Sequence, residues 1–114
     1  MKDNTIQYLD FNKVDIRLGT IIEAKEYDQL KIPSILLKIN FGEEIGIKKS
    51  CAQLQKNYLS KDLINQQVIA VINFESKQIG KIKSEVLVLG LPDNKGEPIL
   101  VSPLKKLING VKLY

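Results

Sequence analysis

Histidine and tryptophan are absent from this 114-residue chain, cysteine and methionine occur once each, and Arg17 is the lone arginine among 17 basic residues. Without histidine, imidazole acid–base chemistry is excluded and a zinc site would lack its usual ligands. One cysteine cannot form an intrachain disulfide. Cys51, between Ser50 and Ala52, is expected to be a packing residue rather than a nucleophile. No Gly-x-Ser-x-Gly elbow and no glycine-rich phosphate loop occurs, and Glu43, Glu44, Glu75 and Glu85 show no spacing that marks an acid and a base. The expectation is a protein that is not an enzyme and uses no cofactor and no metal. Long apolar runs are lacking too: VIAVI and VLVLGL fall far short of the roughly 20 residues needed to cross a bilayer. The opening MKDNTIQYLDF has neither the basic start nor the apolar middle of a secretory signal, so a cytoplasmic location is expected.

What is present is enough apolar material for one core. An apolar content of 44% in 114 residues, with no Ser-rich, Pro-rich or low-complexity linker, predicts one domain spanning residues 1–114. The formal charge of +4 is mild but uneven. Residues 1–44 hold six basic and eight acidic side chains, whereas residues 45–114 hold eleven and five. The positive field therefore centres on KKSCAQLQKNYLSK and KQIGKIK.

Strand signals are frequent. Residues 15–27, DIRLGTIIEAKEY, alternate polar and apolar side chains, and Gly19 suggests a bulge or bend. Residues 32–41 and 44–52 form two more β-type runs, close enough to pair as a hairpin through Phe41, Gly42 and Glu43. AQLQKNYLSKDLINQ alone has helical spacing, with Leu54, Tyr58 and Leu59 towards one side. VIAVINF, residues 68–74, reads as a strand buried on both faces, and residues 79–91 as a further strand with Gly80 near its start. A turn at PDNKGE, a short PILVSP strand and a final turn and strand through Asn109-Gly110 complete the chain. Three strands, a short helix and two more strands are the order of an all-β, five-stranded Greek-key barrel of the OB type, here with flanking terminal segments. In that architecture the loops joining strands 1 to 2 and 4 to 5 frame the ligand face, which places YDQLKIPS and ESKQIG beside it.

DIRLGTI, SCAQL, DLINQQVIAVINF, GKIKSEVLVLG and a closing NGVK, in that order and spacing, resemble the tRNA-binding-domain superfamily, most of all its CsaA type of small export-related chaperones. The resemblance runs from about Phe11 to Lys112. Members best known for binding tRNA carry Ser-Gly-Ile where this chain has Ser50-Cys51-Ala52, and Ser-x-Gly-Met where it has Ser84-Glu85-Val86-Leu87. Their His-Pro-x-Ala-Asp-Lys loop is replaced by residues 27–33; these substitutions match the CsaA pattern. The resemblance implies a homodimer joined through segments flanking the barrel, here YLDFNKV and LKKLINGVKLY. Independently, Tyr8, Leu9, Phe11, Leu113 and Tyr114 are apolar where chain ends are normally polar.

The expected function is a CsaA-like molecular chaperone that binds unfolded preproteins for export, possible partners being the export machinery and the alternative ligand being tRNA held on the same face. Nine residues are the candidates for binding either ligand: Lys48, Lys49, Ser50, Asn73, Phe74, Lys77, Lys81, Lys83 and Ser84. The lysines would supply charge, Ser50, Ser84 and Asn73 hydrogen bonds, and Phe74 an apolar or stacking face. Each has an ordinary alternative: a wet lysine face, a core phenylalanine, an asparagine capping a strand end. IGIKKS and IGKIKS echo one another across the chain, a feature that lysine-rich composition could also produce. Arg17, two residues from Asp15 on one strand face, reads either as a phosphate fork or as a structural ion pair.

Overall fold

The computed structural model describes residues 4–114; the first three residues of the MKDNTIQYLDF stretch lie outside the described residues. After a short helix, α1 (Tyr8–Asn12), come β1 (Ile16–Tyr27), β2 (Ser34–Asn40), β3 (Ile47–Ala52), α2 (Ser60–Leu63) and β4 (Gln67–Val71). Five short strands follow: β5 (Lys77–Ile79), β6 (Ile82–Ser84), β7 (Leu87–Val88), β8 (Gly90–Pro92) and β9 (Pro98–Leu100). One antiparallel sheet runs β3-β2-β1-β4-β7, and β5-β6 and β8-β9 are separate hairpins.

The sheet curls because its concave face is a continuous apolar surface. Ile21, Ile35, Leu37, Ile39, Phe41 and Val68 are all but fully buried, joined by Leu54, Leu63, Ala70 and Val86. In β2 the inward residues fall at every second position, as strand geometry demands. The curl brings the two sheet edges together at one seam. There the Glu85 amide donates to the Lys49 carbonyl at 2.8 Å and the Lys49 amide donates to the Glu85 carboxylate at 3.0 Å. The Cys51 amide donates to the Ser84 hydroxyl at 3.0 Å. A backbone bond and two side-chain acceptors thus close the barrel where a regular ladder is missing.

The architecture agrees with the five-strand-plus-helix reading, and several boundaries differ for physical reasons. Gly19 is not the bulge. The register of β1 on β2 shifts between Ile21 and Glu23, around the exposed Ile22. Gly19 is small because a Cβ there would lie 2.5 Å from Ile39 Cγ2 and 2.8 Å from Phe41 Cδ1: the strand passes directly over the core. The β2–β3 connection is longer than a tight hairpin, with β3 beginning only at Ile47. The helix forms around Leu63 rather than Leu54 and Tyr58, and Leu59 is exposed. Residues 79–91 are not one strand: a turn at Gly80-Lys81 and breaks after Ser84 and Val88 divide them among β5, β6, β7 and β8. The terminal strand contracts to a bridge between Arg17 and Lys112.

That last segment nevertheless completes the sheet. The Leu18 amide donates to the Val111 carbonyl at 3.0 Å, the Gly110 amide to Leu18 at 2.8 Å and the Leu113 amide to Ile16 at 2.9 Å. The first half of β1 is thereby paired on both edges, by β4 and by the C-terminal strap. Arg17 belongs to this joint: its Nε donates to Asp15 at 2.6 Å and its Nη1 to the Gly110 carbonyl at 2.9 Å. The structural reading of Arg17 is the one the geometry bears out.

Candidate binding groove

Beside the seam lies a groove of about 640 Å³, walled by β3, the β5–β6 hairpin and β7, with β9 at one end. Its lining is chiefly apolar, including Leu54, Ile79, Val86, Leu87, Val88 and Leu100. Phe74, just after β4, stands at the groove with 57% of its surface exposed. At the far end the Leu100 amide donates to the Tyr58 hydroxyl at 2.9 Å, which ties β9 to the segment after β3.

Four of the nine candidate residues line this groove: Ser50, Phe74, Lys77 and Ser84. Their roles are not equal. Ser50 is buried opposite Leu37, on the core side of β3, and Ser84 spends its hydroxyl on the Cys51 amide. Phe74 and Lys77 are the exposed pair.

The other five fall elsewhere. In an antiparallel pair, residues directly opposite share a face. Lys48 faces Ile39 and Lys49 faces Lys38, so the two adjacent lysines project to opposite sides of the sheet. In the hairpin, Lys77 pairs with Ser84 and Ile79 with Ile82 on one side, whereas Lys83 pairs with Gln78 on the other. Lys81 sits in the turn. The three hairpin lysines therefore surround the lip instead of forming one row. Asn73 is a joint: its Oδ1 accepts from the Asp15 amide at 3.0 Å and its Nδ2 donates to the Lys13 carbonyl at 2.7 Å. The sequence echo has a spatial meaning, since IGIKKS and IGKIKS end side by side at the seam through Lys49–Glu85 and Cys51–Ser84.

Cys51 lines the groove, and burial pushes its thiol above the ordinary value of 9.0, opposed by a hydrogen bond with Ser34. At neutral pH it is a protonated, weakly polar wall residue and a poor nucleophile. Among the described residues, no group of three or more His, Cys, Asp or Glu side chains is placed to hold a metal ion, and no helix is long and apolar enough to cross a membrane. Sequence reasoning placed Leu87 and Leu100 within strand runs and did not single them out; Leu87 is exposed and Leu100 half-buried at the groove because β pairing breaks beside them, which periodicity alone does not show.

A curled five-stranded sheet with a short helix after the third strand and an open apolar groove at its seam defines an OB-type binding domain. Residues 16–112 match the family described as "Putative tRNA binding domain", and the chain belongs to that family. Its fold superposes on the crystal structure of chaperone CsaA from Bacillus anthracis with a TM-score of 0.90 and 43% identity, covering 96% of this chain and 99% of that one. The CsaA chaperone protein from Picrophilus torridus gives 0.88 and 44%, covering 96% and 100%. Methionine–tRNA ligase from Pyrococcus horikoshii is 32% identical over 111 residues, which are 95% of this chain and 14% of the ligase. The chain thus spans a small part of the ligases it matches.

Proposed function

We propose that this chain acts by binding rather than catalysis, holding unfolded preprotein segments in the seam groove as a CsaA-like chaperone of export. The observation that carries this reading is the groove itself: a largely apolar trough with an exposed aromatic ring, Phe74, at its side. An extended polypeptide can bury alternate side chains there, and Lys77 supplies charge for an acidic flank. In this reading residues 1–114 form one cytoplasmic domain that works as a homodimer. The support is the apolar surface of its ends, where Leu104, Ile108 and Tyr114 are almost wholly exposed and a trough of about 500 Å³ lined by Leu18, Ile69, Leu107 and Leu113 lies open. Two grooves on one particle would add avidity for a long chain.

The family match and the ligase relatives favour a second reading, in which the same face holds tRNA, hairpin lysines tracking phosphates and Phe74 stacking on a base. A titration at 50 and 200 mM salt, with bulk tRNA and with a permanently unfolded, reduced and alkylated polypeptide, separates the two. For tRNA, about four phosphate contacts give a log–log salt slope near −3, and changing Lys77, Lys81 and Lys83 together to Ala flattens it by about two units. Polypeptide binding is expected to change little with salt and only modestly with the triple substitution. If the unfolded polypeptide fails to bind while tRNA binds with the steep slope, the second reading replaces the first.

A further inference from the structure

The β5–β6 hairpin, which forms one wall of the groove, is held at its two ends by different means. At its base, Ser84 and Glu85 exchange three hydrogen bonds with β3, from the Cys51 amide and to and from Lys49. At its tip, the Lys81 amide donates to the Tyr27 hydroxyl at 3.2 Å. Gly80 lies under that bond. Its φ is +60°, and a Cβ added to it would sit 2.7 Å from the Tyr27 hydroxyl and 3.0 Å from Leu30 Cδ2. The turn therefore rests on Tyr27 at a distance that leaves no room for a side chain. The Gln78 side-chain amide donates to the Gly80 carbonyl at 3.0 Å and tightens the same turn.

Tyr27 is itself well placed to receive the tip. It ends β1, paired with Ser34, and Gln55 spans the loop between them by donating to the Asp28 carboxylate and to the Ser34 carbonyl, both at 2.8 Å. The two loops that flank the face in this fold are thereby linked through one phenol.

We propose that Tyr27 is a positioning residue whose hydroxyl latches the tip of the hairpin, holding Lys77 and Ile79 against the groove. With the latch open, the hairpin swings about its base at Ser84 and the groove widens; with it closed, a bound segment is retained. This inference rests on the groove being the binding surface proposed above. One net hydrogen bond changes such an opening equilibrium by about three- to tenfold, the scale of a gate and not of a permanent lock.

The substitution Tyr27→Phe keeps the ring and removes the hydroxyl. In the unliganded protein, amide hydrogen exchange across residues 77–84 is expected to quicken by about three- to tenfold, while the core amides of residues 35–39 keep their rates. The reduced and alkylated polypeptide is expected to dissociate faster by a similar factor. Gly80→Ala is strained by its φ in any background, but the part due to contact with the hydroxyl is relieved in the Tyr27→Phe background, so its effect on hairpin exchange is smaller there. Unchanged hairpin exchange in Tyr27→Phe overturns the latch, and faster exchange with unchanged dissociation overturns its positioning role. If the unsubstituted protein binds neither that polypeptide nor bulk tRNA, the binding reading fails, and exchange alone still decides whether the latch exists.

Discussion

The two sides of the barrel are built differently. From β1 to β4 the strands are five to twelve residues long, pair in long registers and, in β1, β2 and β4, supply most of the buried apolar side chains. From β5 to β9 no strand exceeds three residues, and side chains take over hydrogen bonds that a ladder would supply. The first side is stabilised chiefly by apolar area removed from water. The second is shaped by turns and individual polar contacts, and it leaves apolar side chains uncovered. An open groove arises where regular pairing stops, because residues such as Phe74 and Leu87 then have no facing strand to cover them.

The sharpest way to break this comparison is to damage each side in turn. Leu37→Ala, in a fully buried position at the centre of β2, is expected to cost roughly 2–5 kcal/mol of stability, read by urea unfolding. Phe74→Ala is expected to leave stability within about 0.5 kcal/mol and to weaken binding of the unfolded polypeptide by about 1–3 kcal/mol. Equal loss of stability in both variants would show that the groove side is as much core as the sheet.

Ser84→Ala probes the seam. It removes the acceptor of the Cys51 amide and is expected to destabilise by about 1 kcal/mol, with faster exchange of that amide. No loss would mean that water replaces the hydroxyl without cost.

The smallest effect belongs to the β8–β9 turn, where the Asp93 carboxylate accepts from Asn57 Nδ2 at 3.0 Å and from the Lys95 and Glu97 amides at 2.8 and 2.9 Å. The Asn57 bond first, then the backbone donors, hold its pKa below the ordinary 3.8. Its contribution is therefore complete above that value and disappears as pH falls through the lower folded value. Asp93→Asn is expected to lower stability slightly at pH 6, and the difference from the unsubstituted protein is expected to shrink by pH 3.

The same division explains what could be read from the chain. β1 and β2 were legible because apolar residues recur at every second position along part of each, and β4 because VIAV has no polar interruption, whereas β3, IKKSCA, was legible by its closeness to β2. Residues 79–91 were misread as one strand because IGKIKSEVLVLGL carries a β composition throughout. What divides it is the left-handed Gly80 and the capture of Glu85 by Lys49, and both depend on partners distant in sequence. The same reason governs the candidate site. Phe74 and Lys77 were identifiable by type and loop position, whereas the joint formed by Asn73, opposite facing of Lys48 and Lys49, and contact of Tyr27 with the hairpin need the fold.

The central claim is that ligand lies in the seam groove, and amide chemical-shift mapping during titration with the reduced and alkylated polypeptide tests it most directly. With ligand in the groove, the largest changes gather on Cys51, Phe74, Lys77, Ile79 and Leu87, and the strap at residues 107–113 is little affected. Changes concentrated on that strap, with the groove amides unmoved, would contradict it.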